Sequence, residues 1–276
     1  MNYIELKIPK PLDALQFDLL IADLGETGYE SFAEEEDWLM AYIPEKDFDA
    51  AAMENILGAD FSMDDIIISR IAEKNWNEVW EQNYSPVLVD ERCSIRAPFH
   101  QAPTEVEYDI VLNPKMAFGT AHHETTAMMI SMMLEVDFQD KSVLDMGCGT
   151  GVLAILSKMM GAAQVVAIDN DKWAFENTLE NTQLNHLEGI EIKHGDAALL
   201  AEYKPFQLML ANINRNILMK DIPLYSETLV SGGQLFLSGF LAEDLENIKA
   251  CSSENGLKFV FHREKNKWVA AIFQKQ

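Results

Sequence analysis

One segment constrains this chain more than any other: Val143-Leu144-Asp145-Met146-Gly147-Cys148-Gly149-Thr150-Gly151-Val152-Leu153-Ala154-Ile155. An apolar strand runs into a turn with glycine at alternate positions, and an apolar helix follows at once. Such passages belong to parallel α/β sheets, whose ligands bind at the carboxyl ends of the strands. Glycine lets the backbone take positive φ and pass close to a ligand. Asp169 closes the next apolar run, where a carboxylate can accept from the hydroxyls of a ribose. A nicotinamide dinucleotide is one candidate ligand. Its GxGxxG fingerprint wants a small residue where this chain has Val152, and here the third glycine arrives one residue early.

Beyond residue 105, strand-like and helix-like stretches alternate. Strands are expected at 106–112, 142–146, 164–168, 190–193, 207–211, 234–238, 258–262 and 268–273. Helices are expected at 123–135, 152–160, 172–185, 216–230 and 242–255. This alternation implies a parallel sheet with helices on both faces. The last two strands leave no room for a helix between them. They read as an antiparallel hairpin turning at Lys265-Asn266-Lys267, which departs from the dinucleotide-binding arrangement.

Residues 1–72 read as a separate α+β unit of βαββαβ form. A strand at 3–8 precedes a helix entered at Pro11, with Leu12, Leu15, Leu19, Leu20 and Leu24 at helical spacing. Gly25 and Gly28 stop it. Strands at 29–34 and 38–43 flank the acidic turn Glu34-Glu35-Glu36-Asp37; a helix at 48–57 ends at Gly58, and a strand at 65–71 completes a split-βαβ sandwich. With no catalytic pattern, this unit reads as a recognition domain. Residues 73–94 read as a linker with a helix whose stripe Trp76, Trp80, Tyr84 packs on a neighbouring domain. The catalytic domain is then 95–276.

Asn113-Pro114-Lys115-Met116-Ala117-Phe118-Gly119-Thr120-Ala121-His122-His123-Glu124-Thr125-Thr126 is the second distinctive segment. Its histidines and acid raise the question of a metal or hydrolase site. His122, His123 and Glu124 are adjacent, however, and share no helical face. No HExxH and no distant third ligand accompanies them, so no metal is expected. The better reading is a loop over a cofactor, with Thr126 in the first helical turn. Met128, Met129, Met132 and Met133 read as core.

Net charge narrows the partners. At −24 the chain repels phosphate backbones and anionic membranes, which excludes direct nucleic-acid binding through a basic groove. It suits a basic macromolecule such as a ribosomal protein, or a cationic small molecule; the plain alternative is solubility alone. Cys93, Cys148 and Cys251 form no CxxC, which fits reduced thiols in the cytoplasm. The N-terminus has no secretory pattern, and no run of 18 apolar residues is present.

An acid two residues ahead of GxGxG resembles motif I of S-adenosylmethionine-dependent methyltransferases. In that class an acid at the position of Asp196, in His194-Gly195-Asp196-Ala197, contacts the adenine amino group; Asp196 fits a helix cap equally well. Asn212, in Leu210-Ala211-Asn212-Ile213-Asn214, resembles the (D/N)-P-P-(Y/F) position of nitrogen methyltransferases, although in isolation a polar strand end is the plainer reading. Phe118-Gly119-Thr120, His123, Thr125-Thr126, the glycine loop, Asp169 with Asp171, Ala211-Asn212-Ile213 and Ser238-Gly239 follow in order. With Trp76 and Trp80, they make the chain resemble the ribosomal protein L-eleven methyltransferase family (PrmA type) over nearly its whole length.

The resemblance implies a Rossmann-like class I methyltransferase domain of seven strands behind a substrate-recognition domain. It implies methyl transfer from S-adenosyl-L-methionine to lysine ε-amines and the N-terminal α-amine of that ribosomal protein. Cofactor residues carried over are Thr126, Gly147, Asp169 and Asn212, with Gly149, Gly151 and Asp196 completing the candidate set and Asn212 also the catalytic candidate. The family's Gly-Thr-Gly is Gly119-Thr120-Ala121 here, its proline before the threonine pair is Glu124, and its Asp-Pro-Gly is Asn113-Pro114-Lys115. Alternatives are methylation of another protein nitrogen such as glutamine, a nicotinamide-dependent reductase, and a non-catalytic module that binds a basic partner. The expected state is a monomer.

Overall fold

The computed structural model describes residues 2–10, 14–34, 38–58, 61–71, 85–113 and 122–276. Pro11 and Leu12, the acids 35–37, the stripe Trp76, Trp80 and Tyr84, and the segment 114–121 lie outside these residues. The chain forms two compact units, Met1–Asn83 and Tyr84–Gln276.

The first unit orders its strands β2-β3-β1-β4, all antiparallel, from β1 (Tyr3–Pro9), β2 (Ser31–Glu34), β3 (Trp38–Pro44) and β4 (Ile67–Ile71). Strict alternation in β1 turns Ile4, Leu6 and Ile8 inward. They meet Leu20 and Leu24 of α1 (Ala14–Glu26) and Met53 and Leu57 of α2 (Ala50–Leu57). Helix α2 starts two residues later than its apolar pattern because Asp49 caps it, accepting from the N–H groups of Ala51 and Ala52.

The second unit opens with a three-stranded sheet, β5 (Val87–Val89), β6 (Cys93–Arg96) and β7 (Tyr108–Val111). The boundary expected at residue 95 therefore falls inside β6, and 87–94 are strands and turn rather than linker. Asp90 and Glu91, at φ 49° and 58°, make the turn, and Val89, Cys93 and Ile95 are buried with Met129 and Met133.

The main sheet runs β10-β9-β8-β11-β12-β14-β13. Its strands are β8 (Ser142–Met146), β9 (Gln164–Asp169), β10 (Ile190–His194), β11 (Phe206–Asn212), β12 (Leu229–Leu241), β13 (Leu257–Lys265) and β14 (Trp268–Lys275). The first five are parallel, and β14 is antiparallel to both neighbours. Successive residues face opposite sides, so Val143 and Val165 join one core while Leu144 and Val166 join the other. Helices α3 (Glu124–Met133) and α4 (Val152–Met159) cover the first face. Helices α6 (Arg215–Glu227) and α7 (Leu245–Glu254) cover the second, and α5 (Lys172–Leu184) links β9 to β10. Helix α6 stops earlier than expected because residue 228 turns the chain: Thr228 O accepts from Phe206 N–H at 2.7 Å, and Leu229 enters the sheet opposite Phe206. The chain leaves β8 toward β9 on one side, while β11 lies on the other. That reversal opens a crevice at the strand ends.

Candidate active site

The glycine turn follows β8 at this crevice. Gly147 has φ 70°, and a Cβ there would lie 2.1 Å from Ile213 Cγ2. No side chain fits that approach. Gly147 and Cys148 N–H donate to Ile168 O at 2.8 and 3.2 Å, clamping the turn to β9. At the end of β9, Asp169 Oδ2 accepts from Gly149 N–H and Oδ1 from Asp171 N–H, each at 2.9 Å. These backbone bonds fix the carboxylate at the cavity wall.

The cavity is about 1110 Å³ and is lined by Gly147, Gly149, Asp169 and Asn212 among others. That exceeds what a nucleoside-sized ligand alone fills. Four of the seven candidate residues thus share one wall, and the other three do not line it. Thr126 is fully buried in α3, and its Oγ1 accepts from Asn212 Nδ2 at 3.1 Å, so it acts behind Asn212. Gly151 is the left-handed N-cap of α4, and a Cβ there would lie 2.7 Å from Thr178 Cγ2. Asp196 caps the 3-10 turn Ala197–Glu202, accepting from Ala198 N–H at 2.9 Å.

Asn212 ends β11 with its amide fixed from one side only. Nδ2 is spent on Thr126, while Oδ1 is buried with no hydrogen-bond partner among the described residues. A buried carbonyl left so costs about 1–3 kcal/mol. It lies on the cavity wall, where a ligand N–H can reach it.

Asp145, which the motif puts two residues before Gly147, is buried behind the turn and is not on the wall. Its Oδ2 accepts from Ala154 N–H at 3.0 Å, and burial pushes its pKa up to about 7. Burial likewise raises the Cys148 thiol well above its ordinary range, with Sγ 3.4 Å from Thr178 Oγ1. That thiol is inert.

Several wall residues escaped the sequence reading of the site, Trp268, Asn177 and Trp173 among them. Trp268, the first residue of β14, packs edge-on to His123 with ring centroids 4.8 Å apart. The hairpin turn places it: Asn266 and Lys267 take φ 51° and 69°, the pair of positive angles a two-residue hairpin requires. Asn266 Nδ2 also donates to Glu124 Oε1 at 2.7 Å, which holds that carboxyl below its usual range and ties the hairpin tip to the start of α3. His123 itself caps α3, accepting from Thr125 N–H. Asn177 of α5 and the 78% exposed Trp173 also line the wall. A tryptophan directly after the Asn266-Lys267 hairpin turn was the available signal for Trp268. Among the described residues, no group of three or more His, Cys, Asp and Glu could hold a metal ion.

A family model described as ribosomal protein L11 methyltransferase (PrmA) matches residues 19–276. A ribosomal protein L11 methyltransferase of Bacteroides thetaiotaomicron is 43% identical over 99% of both chains, and one of Phocaeicola vulgatus is 44% identical over the same shares. A solved ribosomal protein L11 methylase of Lactobacillus delbrueckii subsp. bulgaricus superposes with a TM-score of 0.65 at 26% identity, covering 70% of this chain and all of that one.

Proposed function

This chain belongs to the ribosomal protein L11 methyltransferase family, and on that premise we propose that it methylates lysine ε-amines and the N-terminal α-amine of ribosomal protein L11. S-adenosylmethionine is the methyl donor. The residues present fit it. Asp169 offers a fixed carboxylate to ribose hydroxyls beside a turn that tolerates only glycine at 147, and Asn212 Oδ1, without a partner among the described residues, can accept an N–H. When bound, the donor supplies a methyl group on a cationic sulfur.

Asn212 Oδ1, buried with no hydrogen-bond partner among the described residues, is the observation that carries this reading. An amide oxygen accepts one N–H of an entering amine and leaves the nitrogen lone pair free to point elsewhere. Because Thr126 holds the other end of the amide, the acceptor is preset, and orientation of this kind is worth several kcal/mol. An amine must be neutral to attack. A free lysine at pKa about 10.4 pays about 4–5 kcal/mol for that at pH 7, whereas an α-amine near 8 needs about 1 kcal/mol. The proton goes to water before the amine enters, and the neutral Asn212 amide then only orients the nitrogen.

In this reading the first unit recognises the substrate. The net charge of −24 favours a basic partner. The protein acts as a cytoplasmic monomer without contacting nucleic acid. No described helix is long and apolar enough to cross a membrane. The test is to incubate the protein with labelled S-adenosylmethionine and unmethylated ribosomal proteins, then map added mass on peptides. Methyl groups on amines of L11 are expected. Label on glutamine, or on another protein alone, would overturn the substrate assignment.

A further inference from the structure

Asparagine recurs at every fourth position along α5 and at its C-cap, Asn177, Asn181 and Asn185, and so stacks three amides on one face. Asparagine is a poor helix former, and two of these are fully or nearly buried, Asn181 at 0% and Asn177 at 2% exposure. Their bonds explain the cost. Asn185 Oδ1 accepts from Val111 N–H at 2.8 Å while its Nδ2 donates to Val111 O at 2.7 Å. Asn181 Oδ1 accepts from Asn113 N–H at 2.8 Å. The amides stand in for a strand that β7 lacks at its end.

Asn181 does one thing that Asn185 does not. Its Nδ2 donates to Thr150 O, inside the glycine turn, at 2.8 Å. One amide therefore joins the turn to the end of β7. The turn needs such a tie, because alternating glycines leave its backbone the most entropy to lose. Thr178 adds a second bond, from Oγ1 to Gly149 O at 2.9 Å. Asn181 does not line the cavity, whereas its neighbour Asn177 does.

We propose that Asn181 is a positioning residue for the methyl-donor site, fixing the glycine turn against the end of β7 and so setting donor affinity without touching the donor. This rests on the cofactor assigned above. The test compares Asn181→Ala, Asn181→Asp and Asn185→Ala in the full-length protein. Calorimetry with S-adenosylhomocysteine gives Kd, turnover gives the KM and kcat for S-adenosylmethionine, and melting gives Tm. Asn181→Asp keeps the shape and the acceptor for Asn113 N–H but loses the donor to Thr150 O and, at 3.3 Å, to Asn177 Oδ1, so it holds the test open if the alanine variant fails to fold.

Both Asn181 variants are expected to raise Kd and KM about tenfold, the worth of roughly one lost hydrogen bond, with kcat at saturation within about threefold. Asn185→Ala is expected to lower Tm comparably while leaving Kd within about twofold. Wild-type Kd in the Asn181 variants, or equal weakening in Asn185→Ala, overturns the inference and makes the ladder mere packing. Failure of the unsubstituted protein to bind S-adenosylhomocysteine overturns the cofactor reading itself, and this inference with it.

Discussion

Replacing Asn212 with alanine should separate stability from activity. The substitution removes a buried Oδ1 that has no partner among the described residues, relieving about 1–3 kcal/mol. It also deletes the 3.1 Å bond from Nδ2 to Thr126, worth about 1 kcal/mol, and some packing of similar size. These terms nearly cancel, so the ligand-free protein should melt within about 2–4 °C of the parent. Catalysis has no such cancellation. A preset acceptor of this kind contributes about 100- to 1,000-fold, and kcat with L11 should fall by that factor while Kd for S-adenosylhomocysteine moves much less. Melting curves and steady-state methylation on the same preparations decide it. Unchanged kcat would refute the role given to the amide, and a Tm loss beyond about 8 °C would show that Asn212 mainly holds the fold.

Gly147→Ala forces a Cβ to 2.1 Å from Ile213 Cγ2 at φ 70°; a cost of about 2–4 kcal/mol and loss of donor binding are expected by melting and calorimetry. Asp145 has a folded pKa of about 7 against an ordinary 3.8. The folded state therefore binds the extra proton, and this group's stability contribution, present below pH ~4, drains by about 4 kcal/mol as pH rises to ~7. Urea titrations of Asp145→Asn should be flatter across that window than those of the parent, and parallel curves would contradict the burial argument. Added salt should raise KM for the basic protein substrate with little effect on KM for the donor, because the chain's charge is −24; a salt-independent substrate KM would remove acidity from the recognition argument.

The parallel core was legible because β8 and β9 are apolar on both faces, as strands covered by helices must be, and because glycine alternation marks one kind of turn. The terminal hairpin was legible from spacing alone. Strand β5 was not, since three residues carry no usable period. The second role of Asp196 was undecidable in sequence, because a cap and a ligand contact ask for the same carboxylate at the same strand end. Asn181 and Asn185 stayed silent for a different reason. Their partners lie 68 and 74 residues away in the chain, and no local pattern reports a side chain that bonds to remote backbone. Trp268 joins His123 by the same long-range logic.

The strand order β12-β14-β13 has a consequence for synthesis. Strand β13 is made before β14 yet has no neighbour in the sheet except β14, and Trp268 on β14 comes after every other wall residue in the chain. While the polypeptide is still being elongated, the units already released can fold. The cavity cannot be complete among them until the last strand slides between its two neighbours. Seating β14 thus fills the gap in the sheet and brings in the Trp268 side of the cavity in a single event.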